Sequence, residues 1–335
     1  MKKYQIIFTF TLLVHLAFST QADFSQQIDK VIIWGHKLHT HTHSYIHQAF
    51  YRTFKYLGYE TYWLDHTDDL SNLNLSNSLF ITEWQSDKKM PLIDNCFYAI
   101  HNLKIKCLDF CSPRLSQYQK LIDSGRCINF RPTHNFIPKE AIKKEPFVFY
   151  DFTQETLFMP WATDLLPHEI EQSKKEILNV KKTSTINLIG THYKDLDSFI
   201  SIAKKSGINF TFHRKVSIEK NKKLIQQSYI APAIVTEGQQ TFDYIPCRIF
   251  KNISYGQLGI TNSRATQELF RGNLIFHENY DSLFKLAQKA LKSSSLSQQI
   301  VTLMDIVKNE HTYINRIEVL LDFVEKNYYK KRNNQ

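Results

Sequence analysis

"KVIIWGHKLHTHTHSYIHQAFYRTFKYLGYETYWLD", residues 30–65, decides how the chain is read. It starts with a short apolar run ending in glycine, "KVIIWG", which predicts a buried strand entering a turn. Tyr45, Ala49, Phe50, Phe54 and Leu57 then recur at helical spacing, and Gly58 supplies the stop. "TYWLD" predicts a second strand. Strand, helix and strand within about thirty residues make a βαβ unit, which requires a parallel sheet and a right-handed crossover.

The same rhythm continues outward. "SLFITE", "IKCLDF" and "FVFYDF" predict strands and "RLSQYQKLIDSG" a helix, so the N-terminal part reads as an open α/β sheet. The pattern changes around "FMPWATDLLPHEIEQSKKEI", residues 158–177, where Pro160 and Pro167 bracket a turn-like piece. A second α/β series follows: strands in "TINLIGT", "NFTFHR", "APAIVT" and "QLGITN", and helices in "DLDSFISIAKKSG", "KKLIQQS", "PCRIFKNISYG", "DSLFKLAQKAL" and "SQQIVTLMDIVKNE". The expected architecture is two Rossmann-like α/β domains, residues 23–165 and 166–330, facing a central cleft. Ligands of such sheets sit at the carboxyl ends of the strands, so the cleft is the expected site.

Composition narrows the function classes. A 335-residue chain that is 42% hydrophobic and 22% charged is an ordinary globular protein with room for two cores. Lysine and arginine outnumber acids by 42 to 32, for a formal charge of +10. Such a surface suits an anionic ligand or peripheral contact with a membrane. No zinc-finger spacing, RNP-like motif or arginine-glycine run points to nucleic acid. Lys2 and Lys3, the apolar stretch from Ile6 to Phe18 and the small residues of "STQA" read as a signal peptide over residues 1–22, with a signal anchor as second reading. Export to a periplasm, an endomembrane lumen or the outside follows from it. The five cysteines form no CxxC pair and indicate no zinc ribbon.

The stretch richest in chemistry is "DYIPCRIFKNISYGQLGITNSRATQELF", residues 243–270. Its order of pieces resembles the C-terminal domain of GT-B glycosyltransferases, especially the "glycosyl transferases group 1" branch. The matching pieces are a proline-led helix, "PCRIFKNISYG", a strand ending in a small polar pair, "GITNS", and an acid-bearing helix, "TQELF". The tail "HENYDSLFKLAQKAL" and the closing "NEHTYINRIEVLLDF" fit the same family, so the resemblance runs from about Tyr244 to Phe323. It implies sugar transfer from a nucleotide-diphosphate donor to a glycan or other hydroxyl acceptor, with no cofactor and no metal. The donor-binding residues it implies are Arg248, Lys251, Asp243, Gly256, Asn262, Ser263 and Glu268. Arg248 and Lys251 lie in the first turns of the helix, where cations and unpaired backbone N–H groups meet a diphosphate. Many retaining members of the family carry two glutamates eight residues apart. Here those positions are Asp243 and Lys251, a departure that puts the usual ribose contact in doubt. Arg248 and Lys251 also suit the wet face of a helix, and Asn262 and Ser263 a simple turn.

"HKLHTHTHSYIH", residues 36–47, then falls between the first strand and the first helix. A histidine there has an ordinary pKa near 6.5, suited to taking a proton from an acceptor hydroxyl. His41 and His43 are the expected catalytic residues, with His36 ending the strand turn and His47 riding the helix. Two other readings stand beside this one. A secreted carbohydrate-binding protein on an inactive transferase scaffold would keep the fold and lose the chemistry. A metal-dependent hydrolase would use the His36–His47 stretch, and it would need an eight-stranded barrel to supply further ligands.

Overall fold

Strand "SLFITE" is buried at every position, as a strand covered on both faces must be, and it anchors the first of two α/β units. The structure is a computed structural model describing residues 28, 30–38, 42–84, 89–103, 115–132, 142–145, 147–177, 179–182, 185–190, 196–214, 216–241 and 243–332. The expected signal peptide, the strand "IKCLDF" and His41 lie outside them. The first unit takes the described residues up to Asn129 with those from Val319 onward, and the second spans Phe130–Glu318. Residues 130–165, assigned by the sequence to the first domain, therefore fall in the second unit.

In the first unit β1 (Lys30–Trp34), β2 (Glu60–Leu64), β3 (Ser78–Glu83), β4 (Phe97–His101) and the start of β5 (Cys127–Arg131, the division falling after Asn129) stand in the order β2-β1-β3-β4-β5. The pairs from β2 through β4 are parallel, with Val31 opposite Thr61 on one side and Leu79 on the other. The sequence pattern missed β4 and β5, because "FYAIH" and "CINFR" are short and end in polar residues. Helix α1 (Thr42–Tyr56) buries Ile46, Ala49, Phe50, Thr53 and Phe54, one stripe at helical spacing. Each phenylalanine so buried contributes about 1.5–3 kcal/mol. Gly58 ends the helix as read: at φ +89° it lets Tyr59 N–H reach Phe54 O at 3.1 Å. Helix α2 (Leu115–Asp123) precedes β5. The sheet of this unit is open at β2, so the hydrolase reading does not find its barrel among the described residues.

The second unit begins with an antiparallel meander of β6 (Ile142–Glu145), β7 (Val148–Asp151) and β8 (Thr156–Phe158). Helix α3 (Pro167–Ile177) leads into β9 (Ile186–Ile189), α4 (Leu196–Lys205), β10 (Phe210–His213), α5 (Ile218–Gln226) and β11 (Ile230–Ala233). Next come α6 (Glu237–Gln240), α7 (Arg248–Ser254), β12 (Leu258–Thr261), α8 (Arg264–Leu269) and β13 (Ile275–Phe276). Helices α9 (Tyr280–Leu291), α10 (Leu296–Glu310) and α11 (Tyr313–Arg332) close the chain. Strand β9 pairs in parallel with β10, and β11 pairs with β12 and β12 with β13, also in parallel. Ile230 N–H donates to Thr185 O at 3.0 Å, which sets β11 beside β9. Counted from β9, the parallel strands of this unit repeat the second-first-third-fourth-fifth order of the first.

Residues 160–166 are fastened within the second unit. Arg316 is 2% exposed and donates to Pro160 O at 2.7 Å, Glu310 O at 3.2 Å and Trp161 O at 3.4 Å. Thr163 N–H donates to His311 O, and its hydroxyl meets Ser254 Oγ at 2.8 Å. The closing "HTYINR" is thus a clamp on that segment. No helix among the described residues is long and apolar enough to cross a membrane.

Candidate functional site

In an open sheet with this strand order, the crevice lies where the order reverses, at the carboxyl ends of the first and third strands. Each unit has one such point; His43 lies by the first and Arg248 by the second.

In the first unit the point lies between β1 and β3. His36 follows β1 in the left-handed region at φ +62°, after Gly35 at φ +87°, and is only 8% exposed. Its backbone oxygen accepts from Ser44 Oγ at 2.8 Å, tying the loop to the start of α1. Glu83 ends β3 at 1% exposure, and its Oε2 lies 3.5 Å from His36 Nε2. His43, in the first turn of α1, is half-buried, its ring 5.2 Å from His36 and 5.6 Å from His101. Burial lowers its pKa and His36 adds to this, while Glu83 opposes it.

Behind these residues a hydrogen-bond chain fixes two more rings. His47 Nδ1 lies 2.9 Å from Gly35 O, and a carbonyl only accepts, so that nitrogen carries the proton. Burial holds the His47 pKa down at about 3, so the ring is neutral and its Nε2 accepts. His101 Nε2, 2.9 Å away, must donate to it. Asn102 Nδ2 donates in turn to His101 Nδ1 at 3.3 Å. Burial, then the neighbouring histidines, push the His101 pKa well down. His36 and His47, which the sequence gave lesser parts, are therefore built into the cluster. Glu83 was missed. His101, a candidate ligand only for the hydrolase alternative, follows no clear strand in the sequence, yet it ends β4. An acid closing an otherwise apolar strand, "SLFITE", was the available signal for Glu83.

The corresponding point of the second unit lies between β9 and β11. Here the Arg248 side chain reaches the carboxyl end of β9: its Nη2 lies 3.9 Å from where a Cβ on Gly190 would stand. Lys251 is one turn further along α7, and both are half-buried. Gly190 itself was not singled out by the sequence. Asn262 grips the neighbouring strand end through its amide, donating to Val235 O and accepting from Val235 N–H, both at 2.9 Å. Ser263 caps α8, its hydroxyl accepting from Thr266 N–H at 3.2 Å. These two shape the loops around the point. Gly256, at φ +87°, ends α7, and a Cβ there would lie 2.4 Å from Ile177 Cγ2. It permits that close packing. Asp243, at φ +49°, and Glu268 are solvent-exposed. Burial pushes the nearby Tyr244 hydroxyl up to about 12.

The two points differ in chemical capacity. The first offers imidazole nitrogens and a buried carboxyl group close together, able to ligate a cation. The second offers a guanidinium and an ammonium, able to hold an anion.

No protein-family model and no curated protein sequence matches the chain. Solved structures are similar in fold. An α-glucosyltransferase solved with UDP and a DNA containing an HMU base is 8% identical, with a TM-score of 0.47 over 88% of this chain and 99% of that one. A UDP-forming α,α-trehalose-phosphate synthase from Burkholderia xenovorans is 9% identical, with a TM-score of 0.44 over 76% of this chain and 75% of that one. The α,α-trehalose 6-phosphate synthase of Burkholderia multivorans is 8% identical, at a TM-score of 0.42 over 75% of this chain and 74% of that one.

Proposed function

We propose that the chain is a glycosyltransferase moving a sugar from a nucleotide-diphosphate sugar to the hydroxyl of a glycan or other acceptor. The observation that carries the reading is the position of Arg248 at the strand-order reversal of the second unit. A diphosphate in that crevice would meet the Arg248 guanidinium, with Lys251 one turn on. Charge-assisted hydrogen bonds of that kind are short and strong, and they stabilise the diphosphate as it leaves the sugar. Side-chain cations then supply at the diphosphate the charge that a metal ion would bring. The acid positions Asp243 and Glu268 remain open to water for ribose or sugar hydroxyls. In this reading the histidine-lined end of the first unit meets the acceptor, the part the sequence gave to His41 and His43.

Calorimetric titration of the intact protein with UDP- and GDP-linked sugars tests this. Wild type is expected to bind at least one of them, and Arg248→Ala to bind it at least tenfold more weakly. If no nucleotide sugar binds, the carbohydrate-binding alternative takes its place.

A further inference from the structure

We propose that His36, His43 and Glu83 bind one divalent transition-metal ion of the zinc class, with a fourth position open to a water or an acceptor hydroxyl. The site rests on the geometry of the first unit alone and does not require the glycosyl-transfer reading.

Three ligand atoms, one from each residue, lie within 4.8 Å of one another. They come from three separate elements: the turn after β1, the first turn of α1 and the end of β3. Zinc binds histidine nitrogen and carboxylate oxygen at about 2.0–2.2 Å, so two donors on one tetrahedral ion stand about 3.4 Å apart. His36 Nε2 and Glu83 Oε2 are 3.5 Å apart, and little movement closes a cation between them. Glu83 is buried at 1% exposure, and a divalent ion there would take its carboxylate as a ligand while the histidines share the coordination.

The surroundings hold the ligands in place. His36 keeps a left-handed backbone that an L-residue adopts only when its neighbours impose it. His47 packs edge-on against His36 at 5.0 Å and His101 against His43 at 5.6 Å. The hydrogen-bond chain from Asn102 to Gly35 locks both backing rings. Both rings are thus fixed walls behind the two ligand histidines. His36 and Glu83 are buried and His43 is half-exposed, so the free position faces the His43 side. Three protein ligands and one open position are the arrangement of zinc sites that act on a bound oxygen. The ion would polarise a hydroxyl there, a part no single histidine then has to play.

The test uses the full chain, stripped with a chelator and titrated with Zn2+ and, separately, Co2+. The expected result is one zinc per chain, a zinc-dependent rise in Tm and the intense visible absorption of tetrahedral Co2+. Glu83→Gln and His43→Ala should each weaken zinc binding at least tenfold, while His168→Ala, at an exposed residue of the second unit, should leave it unchanged. No zinc binding by wild type, or wild-type binding in both site variants, overturns the proposal. Should Glu83→Gln fail to fold, His43→Ala, with its half-exposed ring, decides alone. Nucleotide-sugar titration of the stripped chain separates the two ideas. Zinc binding without donor binding keeps the cation site and removes the transferase reading; the reverse removes the cation site only.

Discussion

The two α/β units repeat one strand order and place opposite chemistry at the same point in it. Where the order reverses, the first unit carries His36 and Glu83, and the second carries Gly190 with Arg248 beside it. The topology fixes where a ligand is met, because only there do neighbouring connections leave in opposite directions and open a crevice. The side chains fix which ligand it is. Imidazoles around a carboxylate favour a cation or a proton; a guanidinium backed by a lysine favours an anion.

The largest difference between the units should appear on acidification. His47 is held neutral, with its pKa at about 3 against an ordinary 6.5, and His101 shifts the same way. The unfolded chain takes these protons below about pH 6.5 and the folded one does not. The stability they represent is therefore complete above that pH and lost as pH falls toward 3. For His47 the loss runs at up to about 1.4 kcal/mol per pH unit, on the order of 5 kcal/mol in all. In the second unit His311 shifts in the same direction, by burial and then by the charge of Arg316. With two strongly shifted histidines against one, the first unit should lose protection first. Hydrogen exchange of the metal-free chain between pH 7 and 4, resolved by unit, measures this, and earlier loss in the second unit would break the comparison.

Arg316→Ala should act first on the second unit. It strands the carbonyls of Pro160, Trp161 and Glu310 and leaves a cavity, for a loss of about 3–4 kcal/mol in urea unfolding. A loss below 1 kcal/mol would mean that the clamp adds little. Next in size is Arg248→Ala, which should cost nucleotide-sugar binding roughly 1.5–3 kcal/mol and leave zinc binding untouched. An equal loss of both would show that the two points are not chemically separate. Smallest is Arg264→Ala. Its bond to Glu278 at 2.9 Å joins two well-exposed side chains, so the change in stability should stay within about 0.5 kcal/mol. A larger value would point to a role for α8 beyond its surface.

The sequence by itself determined the elements whose signals are local. The apolar run 30–35, the stripe from Ile46 to Phe54 and the stops at Gly58 and Gly256 depend on neighbours within a few residues, so periodicity and backbone freedom suffice to read them. The same holds for the α/β rhythm. Strands β4, β5, β6 and β8 were not legible, because short strands take their stability from partners distant in sequence. Only the tertiary structure decided that Glu83 and His101 join the histidine loop, and that Arg248 reaches the strand end at Gly190. It also decided that Asn262, which the resemblance implied for the donor, turns its amide to Val235. The reason is the same in each case. Which polar groups meet at a strand end is set by strand order and register, and those come from the packing of the whole sheet.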